Sequence, residues 1–105
     1  MPEEKNTIDT ATEFLDKIRD EEEVNIRFTK QDGTLRNMRC TLSFKKIPKS
    51  DHPKGFNLSK VLKLLNKNRI LHVYDLDKQG WRSVPFDRTE YVETRNLRFK
   101  IKRRK

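Results

Sequence analysis

Gln31-Asp32-Gly33-Thr34-Leu35-Arg36-Asn37-Met38-Arg39-Cys40-Thr41-Leu42 is a turn signal followed by a strand-like run. Asp75-Leu76-Asp77-Lys78-Gln79-Gly80-Trp81-Arg82-Ser83 echoes it later in the chain. Asp32-Gly33 supplies the positive-φ position that a tight hairpin needs. Asp77-Lys78-Gln79-Gly80, with glycine last, has the pattern of a type I turn closing a second hairpin. Before the first turn, Val24, Ile26 and Phe28 alternate with Asn25, Arg27 and Thr29, the period of a half-buried strand. After it, Met38, Cys40, Leu42 and Phe44 keep the inward parity, while Arg39, Thr41 and Ser43 point outward. Leu35 falls on the wrong parity. A bulge near Arg36 or Asn37 reconciles it and gives the bend that a small barrel needs.

The pairing of the 32–42 segment with the 75–83 segment resembles a small phage protein family, described as WYL-associated with an Sm-like or SH3-like β-barrel fold. The resemblance covers roughly residues 24 to 93, and the second segment is its more specific half. It implies a barrel of about five strands and no shared reaction. Related barrels bind RNA, DNA or peptides, an analogy from fold to function. The expected fold class is α+β: a small five-stranded SH3/Sm-like β-barrel with an N-terminal helix and a short helix inserted between strands. Residues 1–23 make an acidic tail and the helix, and residues 24–105 the basic barrel, ending in a basic tail.

Charge follows the same division. The net charge of +9 combines nine acidic and three basic side chains in residues 1–23 with seven acidic and 22 basic ones in residues 24–105. The barrel segment alone is therefore near +15. Such a surface attracts polyanions through release of their counterions, although a basic surface also serves solubility.

In the N-terminal segment, residues 1–6 form a polar tail, and Thr10-Ala11-Thr12-Glu13 fits a capping box. Ala11, Phe14, Leu15 and Ile18 then recur at helical spacing and predict a helix over about 10–22. Asp20-Glu21-Glu22-Glu23 suits a helix C-terminus poorly, because the dipole disfavours carboxylates there. Either the helix frays, or those acids face a basic patch of the barrel and compete with nucleic acid for it.

Residues 45–56 form a loop with Lys45, Lys46, Lys49 and Lys54 beside Pro48, Pro53 and Gly55. These lysines are phosphate-contacting candidates or simple solubilisers. Asn57 or Ser59 can cap a helix that buries Val61, Leu62, Leu64 and Leu65 and turns Lys60, Lys63 and Lys67 outward as one ridge. Ile70 to Tyr74 reads as a strand with two partly apolar faces. The DxDxxG fragment at 75–80 lacks the remaining ligands of a calcium loop and reads as turn-forming aspartates. Trp81 is a core anchor or an exposed stacking platform, and Pro85 marks an edge or strand end. A short strand surrounds Tyr91-Val92-Glu93. Leu97, Phe99 and Ile101 alternate with Arg98, Lys100 and Lys102 before Arg103-Arg104-Lys105, which gives a basic outer face and tail.

Two histidines and the lone Cys40 provide neither a disulfide framework nor a four-ligand zinc set, and Cys40 reads as a small buried hydrophobe. No apolar run approaches the ~18 residues of a membrane span, so the expectation is a cytoplasmic protein. With no nucleophile–base pair, phosphate-binding glycine loop or cofactor fingerprint, neither catalysis nor a cofactor or metal is expected. The leading function is low-specificity nucleic-acid binding, with RNA preferred because the resemblance is Sm-like. Candidate contacts are Arg36, Arg39, Lys45, Lys46, Lys60, Lys63, Arg82, Arg98, Lys100 and Lys102, with Trp81, Tyr74 or Tyr91 stacking on bases. The competing function is binding of an acidic host protein, including counter-defence inhibition of a host ribonuclease toxin. Edge strands of such barrels can build rings, whereas helices that cap the edges leave a monomer, and both states stay open.

Overall fold

Thr10 begins the first ordered helix. Its Oγ1 accepts from the Glu13 N–H at 3.1 Å, while the Glu13 carboxylate accepts from Thr10 N at 3.2 Å and Asp9 N at 2.7 Å. This reciprocal cap satisfies amides that have no partner inside the helix. The helix, α1, spans Ala11–Asp20 and buries Ala11, Phe14, Leu15 and Ile18. It stops two residues short of the expected end, with extended backbone at Glu21. The computed structural model describes residues 7–55, 57–95 and 97–101. The expected polar tail at 1–6, Lys102 and the basic end 103–105 lie outside the described residues.

Seven strands share one sheet: β1 Thr7–Ile8, β2 Val24–Thr29, β3 Leu35–Thr41, β4 Ile70–Asp75, β5 Gly80–Pro85, β6 Thr89–Glu93 and β7 Arg98–Ile101. Their order is β1-β7-β6-β2-β3-β4-β5. The inner five, β6-β2-β3-β4-β5, are antiparallel to their neighbours and equal in number the strands that the barrel reading expects. The closed five-stranded barrel itself is not found, because the sheet is open and carries two further strands. β7 extends it beyond β6, and the two-residue β1 pairs with β7 in parallel. At the other edge Pro85 ends β5 without an N–H to donate. The 3-10 turn Phe86–Arg88 then carries the chain across to β6, which pairs with β2. The β3–β4 ladder is short, pairing only Cys40 with Asp75 and Thr41 with Tyr74.

Two local expectations are corrected. β2 and β3 pair without interruption from Val24–Cys40 to Thr29–Leu35, so no bulge reverses Leu35. Leu35 simply faces outward at 49% exposure, and the register shift lies on β2 against β6, between Arg27 and Phe28. In the β4–β5 turn Gln79 takes the left-handed conformation, with φ 57°. Asp75 directs that turn: its Oδ1 accepts from Asp77 N and Lys78 N, and its carbonyl accepts from Gln79 N. Finally, Thr41 is fully buried, its hydroxyl donating to the Glu22 carbonyl. The first hairpin is as expected, with Gly33 at φ 91° and Asp32 accepting from Thr34.

Residues 42–69 form an insertion over the outer face of β4 and β5. It holds the 3-10 turn Lys49–Asp51 and α2, Leu58–Asn68, whose Asn57 cap accepts from Lys60 N at 3.2 Å. The loop is tied down at several points. His52 Nε2 donates to the Ile47 and Phe44 carbonyls, Trp81 Nε1 donates to the Asp51 carbonyl at 2.8 Å, and the Tyr74 hydroxyl donates to the Asp51 carboxylate. One core joins Phe14, Leu15 and Ile18 of α1 to Ile26, Met38, Leu71, Val73, Val84 and Val92 of the sheet, with Leu65 of α2 beside them. Phe14 meets Phe86 at 4.9 Å. At roughly 1.5–3 kcal/mol per large apolar side chain buried, α1 is a structural part of the barrel domain.

Candidate nucleic-acid interface

The inward parity of β3 runs Cys40, Met38, Arg36, so an arginine occupies the last inward position. Its Nη2 lies 2.6 Å from Asp75 Oδ2, and Asp75 is 1% exposed. Between the β2–β3 hairpin and β5, where the sheet fails to close, lies a pocket of about 350 Å³. Phe28, Met38, Ile70 and Pro85 make its apolar floor. Lys30, Arg36, Arg82 and Arg88 make its rim, and Gln31 and Ser83 add neutral polar groups. No carboxylate lines it. Arg82 donates to its neighbour's carbonyl, at Trp81, over 3.3 Å. Among the described residues Lys30, Arg82 and Arg88 have no acidic partner within ion-pair distance. Arg36 keeps further N–H donors besides the one on Asp75. Beneath this seam, Cys40 is fully buried opposite Asp75. Burial first, and the Asp75 charge second, push its thiol pKa well up, so it stays protonated.

Further along the β4–β5 ladder lies a second depression of about 270 Å³, lined by Pro53, Val61, His72 and Trp81. The Ser83 hydroxyl and His72 Nδ1, 3.2 Å apart, stand between the two. Trp81 is half-buried, neither a full core anchor nor a free platform. Its ring meets Tyr74 edge-on at 5.6 Å, and its N–H is fixed on Asp51. Tyr74 itself is 1% exposed and cannot stack on a base. The hydrogen bond to Asp51, helped by burial and the Asp51 charge, pushes its pKa up to about 12. Tyr91 is covered by the Arg98 guanidinium at 4.2 Å.

Outside the seam, several cations meet acids. Arg39 is clamped between Glu23 at 2.9 Å and Asp77 at 3.1 Å, and hydrogen bonds to both raise its pKa. Lys46 lies 3.7 Å from Glu22 and 3.9 Å from Glu23. Thus the acids after α1 do face a basic patch. Arg27 pairs with Glu90, Arg69 with Asp87 and Arg98 with Glu93. Arg98 and Lys100 share the outer face of β7, whose positive charge Glu93 therefore reduces. Lys45 on the loop, Lys60 and Lys63 on α2, and Lys100 are exposed.

The anticipated contact residues consequently do not form one patch. Arg36 and Arg82 meet at the seam with Trp81 adjacent; Arg39 and Lys46 sit in the acidic corner; the α2 lysines and the β7 pair lie apart. Lys30 and Arg88 were not singled out in the sequence, because they lie in turns far apart along the chain. Their signal was position, one just before Asp32-Gly33 and the other just after Pro85, at turns that the barrel brings together.

The family model WYL_2, Sm-like SH3 beta-barrel fold, matches residues 11–89, from the start of α1 to the first residue of β6. No curated protein and no solved structure matches the chain. Among the described residues no helix is long and apolar enough to cross a membrane.

Proposed function

The chain belongs to the WYL_2 family of Sm-like SH3 β-barrel proteins, and from that premise we propose that it binds nucleic acid without catalysis, RNA ahead of DNA. The observation that carries this reading is the distribution of charge around the seam. Among the described residues Lys30, Arg82 and Arg88 stand together with no carboxylate within ion-pair distance, while acids pair with the cations of the α1–β3 corner and the outer sheet face. Such a cluster concentrates positive potential where a phosphate backbone can displace counterions. Sequence specificity is low, since few groups around the seam read base edges. The setting, a small phage protein working in the host cytoplasm, is part of the same proposal.

Fluorescence anisotropy against single-stranded RNA, single-stranded DNA and duplex DNA over a salt series tests it. Binding falls steeply with salt, and Arg82→Ala with Arg88→Ala weakens it about 10- to 100-fold while lowering the salt slope by about 2. Unchanged affinity and slope in that double variant would place the interface elsewhere. A second reading, contact with an acidic host protein such as a ribonuclease toxin, draws on α2. There Lys60, Lys63 and Lys67 form an exposed ridge beside the partly exposed Leu58 and a shallow groove over Leu62. Nuclease treatment of a host pull-down separates the two, because a direct protein contact survives it.

A further inference from the structure

The seam pocket and the Trp81 slot are neighbours along the β4–β5 ladder, Ser83 lining one and its partner His72 the other, and both are largely apolar. We propose that they receive two consecutive unstacked bases of a single strand, which passes over the β5 edge with its phosphates on Arg82, Arg88 and Lys30. This rests on the nucleic-acid reading above and adds its binding mode.

Three observations carry it. The first is size: against ligand sites of roughly 300–1,000 Å³, pockets of about 350 and 270 Å³ lie one just above and one just below the lower limit, with room for one ring system each. A base pair within a duplex, stacked on both sides, does not enter either one. The second is the pairing of surfaces. A bare phosphate gains nothing from the Phe28 and Pro85 floor, and an uncharged apolar ligand gains nothing from three cations. A nucleotide uses both, presenting a π face to the floor and a phosphate to the rim. The third is continuity. Trp81 and Ser83 lie two residues apart on β5, about 7 Å along the strand, a span that an unstacked dinucleotide can bridge. Ser83 and His72 stand at the divide, where they can hydrogen-bond to base edges. Trp81 is held for stacking by its Asp51 contact, so its indole needs little ordering on binding.

The experiment uses the full chain. Trp81 is the only tryptophan, so its fluorescence reports the second slot directly. Inorganic phosphate, uridine monophosphate, a uridine dinucleotide bearing a 5′-phosphate, a single-stranded RNA and a duplex DNA are titrated in turn. The dinucleotide quenches Trp81 and binds at least tenfold tighter than the mononucleotide, and phosphate alone binds more weakly than either. By anisotropy, Trp81→Ala and Ser83→Phe each weaken the single strand about tenfold and leave the duplex unchanged, whereas Trp81→Phe restores most of the loss. Circular dichroism checks that each variant folds. Phosphate binding as tightly as the dinucleotide would reduce the seam to an anion subsite and overturn the proposal. Single strands bound equally well by wild type, Trp81→Ala and Ser83→Phe would overturn it too, while leaving the electrostatic reading in place. Only the loss of salt-dependent binding to every polymer would defeat both.

Discussion

Arg36 and Arg39 are three residues apart on β3 and live in opposite worlds. Arg36 points inward to the seam, where its partner Asp75 is buried and the other charged residues lining the pocket are cations. Arg39 points outward at 44% side-chain exposure, held by two carboxylates from different parts of the chain. The pleat alone separates them, since a step of three residues reverses the face. The barrel thus sorts its charges: acids cluster at the α1–β3 corner and along the outer face, leaving the seam positive. A count of lysines and arginines along the sequence cannot see that sorting.

The largest effect that tests this contrast is on stability. Arg36→Ala leaves the Asp75 carboxylate buried without its cation, and breaking a buried pair in this way typically costs 3–5 kcal/mol. Because the Arg36 side chain is 27% exposed, about 2–4 kcal/mol is expected from urea denaturation. Arg39→Ala removes two exposed pairs and costs about 1 kcal/mol or less. Equal losses in the two variants would mean that the inward and outward arginines do not differ in kind.

The same parity argument explains what was legible in the sequence. The capping box at Thr10 and Glu13, the alternation of Val24, Ile26 and Phe28, and the Asp32-Gly33 turn are local signals, and each corresponds to an element in the structure. β1 was not legible, because two residues carry no period and its partner β7 lies at the other end of the chain. Barrel closure was over-read: the strand pattern fixes neighbours in the sheet but not whether β5 reaches β6. The seam was half legible. Arg36 and Arg82 were singled out as basic residues beside apolar ones, yet their convergence with Lys30 and Arg88 joins β3, β5 and two turns that lie far apart in the chain, and no local period carries it.

A smaller effect is expected at the acidic corner. Glu22→Gln with Glu23→Gln releases Arg39 and Lys46 from their exposed carboxylates, leaving Arg39 only Asp77. RNA affinity should rise by about two- to fivefold at low ionic strength and return to the wild-type value near 1 M salt, where screening reduces the Debye length to about 3 Å. Removing residues 1–23 is no substitute for these changes, because Phe14, Leu15 and Ile18 belong to the shared core. A gain that persists at high salt would point to a change of shape and not to charge, and no gain at all would make the corner a solvated surface.

The smallest effect concerns the loop that brings Lys45 and Lys46 to that corner. It is fastened to β4 and β5 through Asp51, which accepts from the Tyr74 hydroxyl. That hydrogen bond raises the Tyr74 pKa from 10.0 to about 12, so between those values the folded chain holds a proton that the unfolded chain has released. The stabilisation is therefore fully present below about pH 10 and is lost as pH rises through about 12. The informative quantity is the difference between two proteins that share every other titrating group. Urea midpoints of wild type should fall more steeply from pH 10 to 12 than those of Tyr74→Phe, which lacks the titrating hydroxyl. Trp81 fluorescence should report release of the loop over the same interval, because its N–H shares Asp51 as anchor. Parallel slopes in the two proteins would mean that Asp51 holds the loop through the Trp81 contact alone. The corner would then keep its lysines at high pH, and its contrast with the seam would owe nothing to Tyr74.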